Sequence, residues 1–309
     1  MAFLFLLILI TAVGCAHRDY RIRGEQLDGL PMRTEIAEVP FYPQKSYHCG
    51  PAALATVLNW SNSQISLGDI TDEIYTPGRK GSLQSMLVSA TRSHNRLPYV
   101  IGDFTSLIQE VAAGHPVIVL QNLGLSWYPQ WHYAVVIGYD IEKQIVILRS
   151  GKTFRMERGW PLFCRTWEGA GHWGLLALPP HELPASADEA SFLEAVTALE
   201  AVGAQEAASS GYKAALERWP KSLGATVGLG NSLYAIGDFQ GAEKCFRSAL
   251  SVCQDCGDVY NNLAHVLAKQ GRYSEALDAA HQAISVGGSN ESIYDQTLIE
   301  ITRLKEKTG

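Results

Sequence analysis

The chain of 309 residues is long enough for two domains of ordinary size. Its 47% hydrophobic and 18% charged residues exclude a disordered, collagen-like or multi-pass membrane protein. A net charge of −6 argues against nucleic-acid binding, which needs a basic surface to displace the counterions of phosphates.

The first fourteen residues, through the run Phe3-Leu4-Phe5-Leu6-Leu7-Ile8-Leu9-Ile10, are almost wholly apolar and stop at Cys15. A bilayer span takes about 20 apolar residues, so the run has the size of a signal-peptide core instead. Thr11-Ala12-Val13-Gly14-Cys15 resembles a bacterial lipobox, with the departure that no Lys or Arg precedes the apolar core. The resemblance implies a signal peptide over 1–14, a lipidated Cys15 and, with Ala16 next, attachment to the outer membrane facing the periplasm. A buried N-terminal helix or an ordinary signal peptide is the alternative. Residues 15–38, polar and without a clear period, read as a tether.

From Val39 the pattern changes. Val39-Pro40-Phe41-Tyr42-Pro43-Gln44 reads as extended chain, and Cys49-Gly50-Pro51-Ala52 opens a helix reaching Trp60, with the proline read at a first helical position, where its missing N–H costs nothing. Further helices are expected over Leu83–Thr91 and Phe104–Ala113, the latter ending at Gly114. Strands are expected over Pro116–Gln121, His132–Tyr139, Gln144–Leu148 and Trp173–Leu178, with Asp140-Ile141-Glu142-Lys143 as a hairpin turn. Helices first and strands later describe an α+β domain over 39–180, with helices packed on an antiparallel sheet. The Pro/Ala-rich residues 181–187 read as a linker. Charge supports a boundary near Pro184: residues 1–184 hold 15 acidic and 15 basic side chains, whereas residues 185–309 hold 16 and 10.

Beyond the linker, over 188–309, the sequence repeats. Gly203, Gly237 and Gly271 are 34 apart, as are Ala208, Ala242 and Ala276, and Ala215, Ala249 and Ala283. The period resembles the tetratricopeptide repeat, a helical hairpin in which small residues let two helices approach closely. Tyr212, Phe246 and Ala280 take the packing site, Pro220 closes the first repeat, and residues 291–309 fit a capping helix. The resemblance implies three all-α repeats whose concave face recruits a protein partner.

Of six cysteines, Cys15 is the expected anchor, and Cys49 and Cys164 stand alone. Cys253 and Cys256 form a CxxC near Cys245, with no second pair at metal spacing, so a structural disulfide among these three is expected in an oxidising compartment. Chemistry concentrates around Cys49. A helix N-terminus offers a thiol a positive dipole end and free N–H groups, which lower its pKa and can hold an oxyanion together with the nearby Gln44 side chain. A nucleophilic cysteine needs a base. Among nine histidines, His132 alone opens a central strand, behind an aromatic loop with Trp127, Tyr128 and Trp131; the His48 side chain should diverge from its neighbour, and His94 and His115 flank loops. A lone histidine at a strand start is commonly structural, and only its combination with Gln44 and Cys49 reverses that reading.

Gln44, Cys49-Gly50-Pro51-Ala52 and His132-Tyr133-Ala134-Val135-Val136-Ile137-Gly138-Tyr139-Asp140 resemble the papain-like cysteine peptidases of the double-glycine-leader, bacteriocin-processing family, over about residues 36–180. The resemblance implies that Cys49 attacks a peptide carbonyl, His132 is general base and then acid, and Gln44 helps build the oxyanion hole; the sequence itself gives no sign of a cofactor or a metal. The family's Asp on the strand after the His is missing: the stretch reads Ile147-Leu148-Arg149-Ser150-Gly151, which gives the position to Ser150, with Asp140 a weaker candidate and better read as a turn residue. Transporter and ATP-binding segments that accompany many members are also absent, for no GxxxxGK[ST] occurs. Arg149, Lys152, Arg155, Arg158 and Arg165 could receive an acidic peptide segment, although solvated strand edges show the same pattern, and Trp160 and Trp167 either line a cleft or pack. The expected protein is an envelope-anchored thiol peptidase acting on a peptide or protein substrate. A catalytically degenerate peptide-binding scaffold, or an acyl transferase using the same thioester, stays open.

Overall fold

The computed structural model describes residues 27–44, 47–288 and 290–308. The expectations of a signal peptide and of lipidation at Cys15 lie outside them. Two largely uncharged apolar runs set the centre of a sheet, as expected for strands with both sides covered. They are Val117–Asn122 (β3), buried throughout, and Trp131–Asp140 (β4), buried from Tyr133 onward. Around them stand Arg33–Glu35 (β1), Leu97–Ile101 (β2), Ile145–Ser150 (β5), Thr153–Gly159 (β6) and Gly174–Leu178 (β7). All pairings are antiparallel, in the order β2-β7-β3-β4-β5-β6, with β1 added to the far end of β4. The register puts His132 opposite Gln121 and Val135 opposite Arg149.

The helix Cys49–Trp60 (α1) has the bounds the sequence suggests and is buried from Gly50 to Leu58, packed on β3, β4 and β7. Pro51 occupies its third position rather than its first. Leu67–Ile74 (α2), capped by Ser66, and Gln84–Ser93 (α3) flank it. Phe104–Ala112 (α4) starts at an Asp103 cap and stops before Gly114, whose φ of +92° ends a helix cheaply only in glycine. Trp160–Glu168 (α5) lies against β3, β5 and β6.

The helical part follows the period of 34. Glu189–Ala201 (α6), Leu223–Ala235 (α8), Gly257–Lys269 (α10) and Glu291–Thr308 (α12) alternate with Gln205–Arg218 (α7), Phe239–Val252 (α9) and Tyr273–Val286 (α11). Each hairpin turns on one of the repeated glycines, Gly203, Gly237 and Gly271, at φ of +82°, +87° and +76°. Ala208, Ala242 and Ala276 are fully buried, as the close approach of paired helices requires.

Several expectations need correction. Residues 27–38 are no tether: Leu27 and Ile36 are buried, β1 pairs with β4, and Tyr139 Oη donates to Pro31 O at 2.9 Å. Nor do residues 181–187 hang free, since the Glu110 carboxylate accepts the amides of Ala185 and Ser186 at 3.1 and 2.7 Å. The structural disulfide expected among Cys245, Cys253 and Cys256, by contrast, is present: it joins Cys253 to Cys256 and leaves Cys245 and Cys164 as thiols. Among the described residues no helix is long and apolar enough to cross a membrane.

Candidate functional site

Cys49 is the first residue of α1, preceded by His48, whose ring packs edge-on against Tyr75 at 4.9 Å and makes no side-chain cap. The cap position offers no side-chain acceptor, Pro51 has no N–H and Ala52 N donates to His48 O at 3.1 Å, so the amides of Cys49 and Gly50 are the ones left for another acceptor. The Gly50 and Tyr133 amides face the Cys49 sulfur. A Cβ at Gly50 would sit 2.8 Å from Ser82 Cβ and Oγ, so only glycine lets the first turn approach that segment this closely. Tyr133, one residue after His132 on β4, sends its hydroxyl to Ser82 O at 3.2 Å and so ties the strand to the loop beside the helix.

Gln44 is fixed at both ends of its amide. Its Nε2 donates to Tyr133 O at 3.2 Å, its Oε1 accepts from Gly151 N at 3.1 Å, and its own backbone N–H donates to Gly151 O at 2.9 Å. An amide nitrogen carries two N–H groups, so one remains beyond the bond to Tyr133. His132 is half-buried near the mouth of β4, and its Nε2 lies 2.9 Å from Ser150 Oγ at the end of β5. Ser150 therefore takes the position beside the imidazole that the sequence assigns to it. Asp140, at the opposite end of β4, accepts from Lys143 N at 2.9 Å as a turn residue.

Gln44, Cys49 and His132 line one cleft of about 1020 Å³, together with Tyr133 and Gly151. The thiol and the imidazole share this cleft without a hydrogen bond between them. Burial pushes the Cys49 thiol above its ordinary range, and the surrounding amides of Tyr133 and Gly50 offset only part of that. The helix N-terminus alone suggests the opposite direction; desolvation outweighs it. Burial also lowers the His132 pKa, so both groups are neutral at neutral pH.

The basic run does not act as a unit. Arg149 is buried, donates to Val39 O at 3.1 Å and to Phe154 O at 2.6 Å, and lies 3.8 Å from the Phe154 ring centroid. Arg155 pairs with Glu35 on β1 at 2.8 Å, a partner outside the local window. Trp160 and Trp167 pack in the core. Gly151 and the Tyr133 amide were not singled out from sequence, because nothing local marks a backbone group as a partner of a distant side chain. No group of three or more His, Cys, Asp or Glu among the described residues comes together to hold a metal ion.

Residues 36–157 match the Peptidase_C39 like family, and residues 222–286 match the tetratricopeptide repeat. A stretch of 60 residues is 42% identical to the peroxisomal targeting signal receptor of Eremothecium gossypii, covering 19% of this chain and 10% of that protein. The chain thus spans about a tenth of the length of this curated relative. Among solved structures, a chain from Bacillus anthracis described as C39-like peptidase is 17% identical, over 47% of this chain and 97% of that one, with a TM-score of 0.39. The double glycine motif protease of an AMS/PCAT transporter, solved with a leader peptide, is 18% identical over 46% and 94%, with a TM-score of 0.36. MamA from Desulfovibrio magneticus RS-1 is 12% identical over 40% and 79%, with a TM-score of 0.33. The chain carries a Peptidase C39-like domain, an antiparallel sheet with helices packed on it, followed by tetratricopeptide repeats.

Proposed function

We propose that the protein is a thiol peptidase that hydrolyses a peptide bond through Cys49 and His132, with the repeats recruiting a protein partner and a lipid on Cys15 anchoring it in the cell envelope, facing the periplasm. The observation behind this reading is that a cysteine at a helix N-terminus and a histidine bonded to Ser150 open into one cleft beside the Gln44 amide. Both reacting groups rest neutral, so proton transfer accompanies attack rather than preceding it. With Nε2–H donating to Ser150, Nδ1 is the basic nitrogen. Nδ1 takes the thiol proton as sulfur bonds to the scissile carbonyl carbon, and the free N–H of Gln44 with the Cys49 and Gly50 amides that open α1 holds the oxyanion. The imidazolium then protonates the leaving amine as the C–N bond breaks. Water, deprotonated by His132, attacks the thioester, releasing a carboxylic acid and restoring the thiol.

The raised thiol pKa and the uncharged Ser150 favour one second reading, a domain that binds peptides without cutting them. The rate of Cys49 alkylation by iodoacetamide, read by peptide mapping between pH 6 and 9 for the wild type and His132→Ala, separates the two. A working base makes the wild type react about tenfold faster near neutral pH. Equal rates would remove the peptidase reading and leave the binding module.

A further inference from the structure

Residues 123–130, between β3 and β4, form a rigid finger. Leu125 and Tyr128 exchange both backbone hydrogen bonds at 3.1 Å, and Leu123 N–H donates to Gln130 O at 2.8 Å. Asn122 Oδ1 accepts the amides of Gly124 and Gln130 at 3.0 and 2.9 Å. The amides of Leu123, Gly124, Leu125, Tyr128 and Gln130 are thus bonded within the segment, while its large apolar side chains are open: Leu123, Leu125, Trp127 and Tyr128 are 52%, 57%, 78% and 64% exposed, and Trp131 at the base is 55% exposed. Large apolar side chains gathered this way mark a docking surface rather than scattered surface hydrophobics.

Two clefts flank the finger. Tyr128 lines the Cys49 cleft, Leu123 and Leu125 line a second of about 990 Å³ on the other side, and Trp127 lines neither. A peptide lying in either cleft would leave Trp127 in water, whereas a surface met by the fingertip would cover it. The charge around the finger is one-sided. Arg79, Lys80 and Lys152 line the first cleft and Arg158 and Arg165 the second, and no acidic residue lines either among the described residues, on a chain of net charge −6. Trp and Tyr flanked by cations suit the headgroup level of an anionic bilayer, where the ring is buried and its polar atom stays hydrated.

We propose that this finger is a membrane-docking element that inserts Leu125, Trp127 and Tyr128 into the interface of an anionic lipid surface and turns the mouth of the Cys49 cleft toward the bilayer. The inference needs neither hydrolysis nor lipidation at Cys15. Its test reads lipid contact alone, so it stands or falls separately from the peptidase reading.

The full chain is mixed with phosphatidylcholine vesicles containing phosphatidylglycerol, with and without dibrominated lipid, and tryptophan emission is compared between the wild type and Trp127→Phe. Bromine quenches only at short range, so attachment through any other segment leaves Trp127 emission intact. The wild type is expected to lose emission that Trp127→Phe lacks. A Leu125→Ser, Trp127→Ser double variant is expected to sediment with these vesicles about tenfold less and to keep its circular dichroism. Equal quenching of wild type and Trp127→Phe overturns the proposal. So does Trp127 emission that responds to a Glu/Leu-rich peptide and not to vesicles, which would give the finger a protein partner instead.

Discussion

Ser150 is the residue on which the imidazole turns. Its hydroxyl, 2.9 Å from His132 Nε2, holds the ring but brings no charge to stabilise imidazolium. Ser150→Ala is expected to lower kcat/KM about tenfold by freeing the ring, and a pH profile distinguishes this from general damage. His132 serves as base only when neutral. Because burial depresses its pKa, the acid limb of the wild-type profile should fall below the ordinary histidine range near 6.5. Ser150→Asp places a carboxylate beside the ring, favours imidazolium and should move that limb upward; an unmoved limb would sink the role given to Ser150. Residue type and position single out Cys49, His132 and Gln44, and only the resemblance to a known family points to Ser150; the structure brings the first three to one cleft and sets Ser150 beside His132. The direction of the thiol shift was not legible in the sequence, because it follows from how much of α1 lies under the sheet, and burial is a property of the folded chain.

At the level of elements, legibility tracks how far an element depends on itself. The helical repeats announce themselves because one packing solution recurs every 34 residues. In the first two, Gly228 and Gly230 of α8 lie under the rings of Tyr212 and Phe246, where an added Cβ would stand 2.3 and 2.6 Å from ring carbons. Gly228→Ala is therefore expected to destabilise the repeats by about 2 kcal/mol through overpacking despite alanine's better helix propensity, as read by urea denaturation; an unchanged midpoint would mean that the ring moves freely. Strands were harder. β2 contains Pro98, which argues against a strand, yet β2 is an edge strand where a missing N–H is tolerated. β1 has three residues and little pattern of its own, and β6 reads as charged chain because it is the opposite edge. Between repeats the stabilising contacts are partly ionic. Partial burial raises the Glu243 pKa, but hydrogen bonds from Arg272, Gln270 and Arg247 outweigh it and hold the carboxyl at about 2. The folded pKa lies below the unfolded one, so this contribution is complete above about pH 4.5 and fades as pH falls toward 2. A thermal melt of Glu243→Gln should thus differ from the wild type at pH 6, and the difference should shrink steadily as pH falls from about 4.5 toward 2.

Across the whole molecule, one side chain bridges the two parts. Charge balance suggests a change of character near Pro184, but composition cannot show that Glu110, fully buried in α4, reaches the residues beyond it. Its carboxylate accepts from Ala185 N, Ser186 N and Ser186 Oγ at 3.1, 2.7 and 2.5 Å and lies 2.7 Å from His115 Nδ1. A continuous apolar cluster joins the sheet to the repeats through Phe192, Val196 and Leu199 of α6, which packs on β2. Latch and cluster together should make the chain unfold in one transition. Glu110→Ala leaves the two amides, the Ser186 hydroxyl and the His115 ring without their acceptor in a place that water reaches poorly, a loss of about 3 kcal/mol. Because three of those donors, on Ala185 and Ser186, sit on the connecting segment, the loss should fall on coupling more than on either part: protease cuts within 181–187 should accelerate, and the urea transition should broaden or split. Glu110→Gln keeps one acceptor oxygen and should lie between. If the alanine variant unfolds in one sharp step with its connecting segment still protected, the apolar cluster alone holds the parts together and the carboxylate is only a local cap.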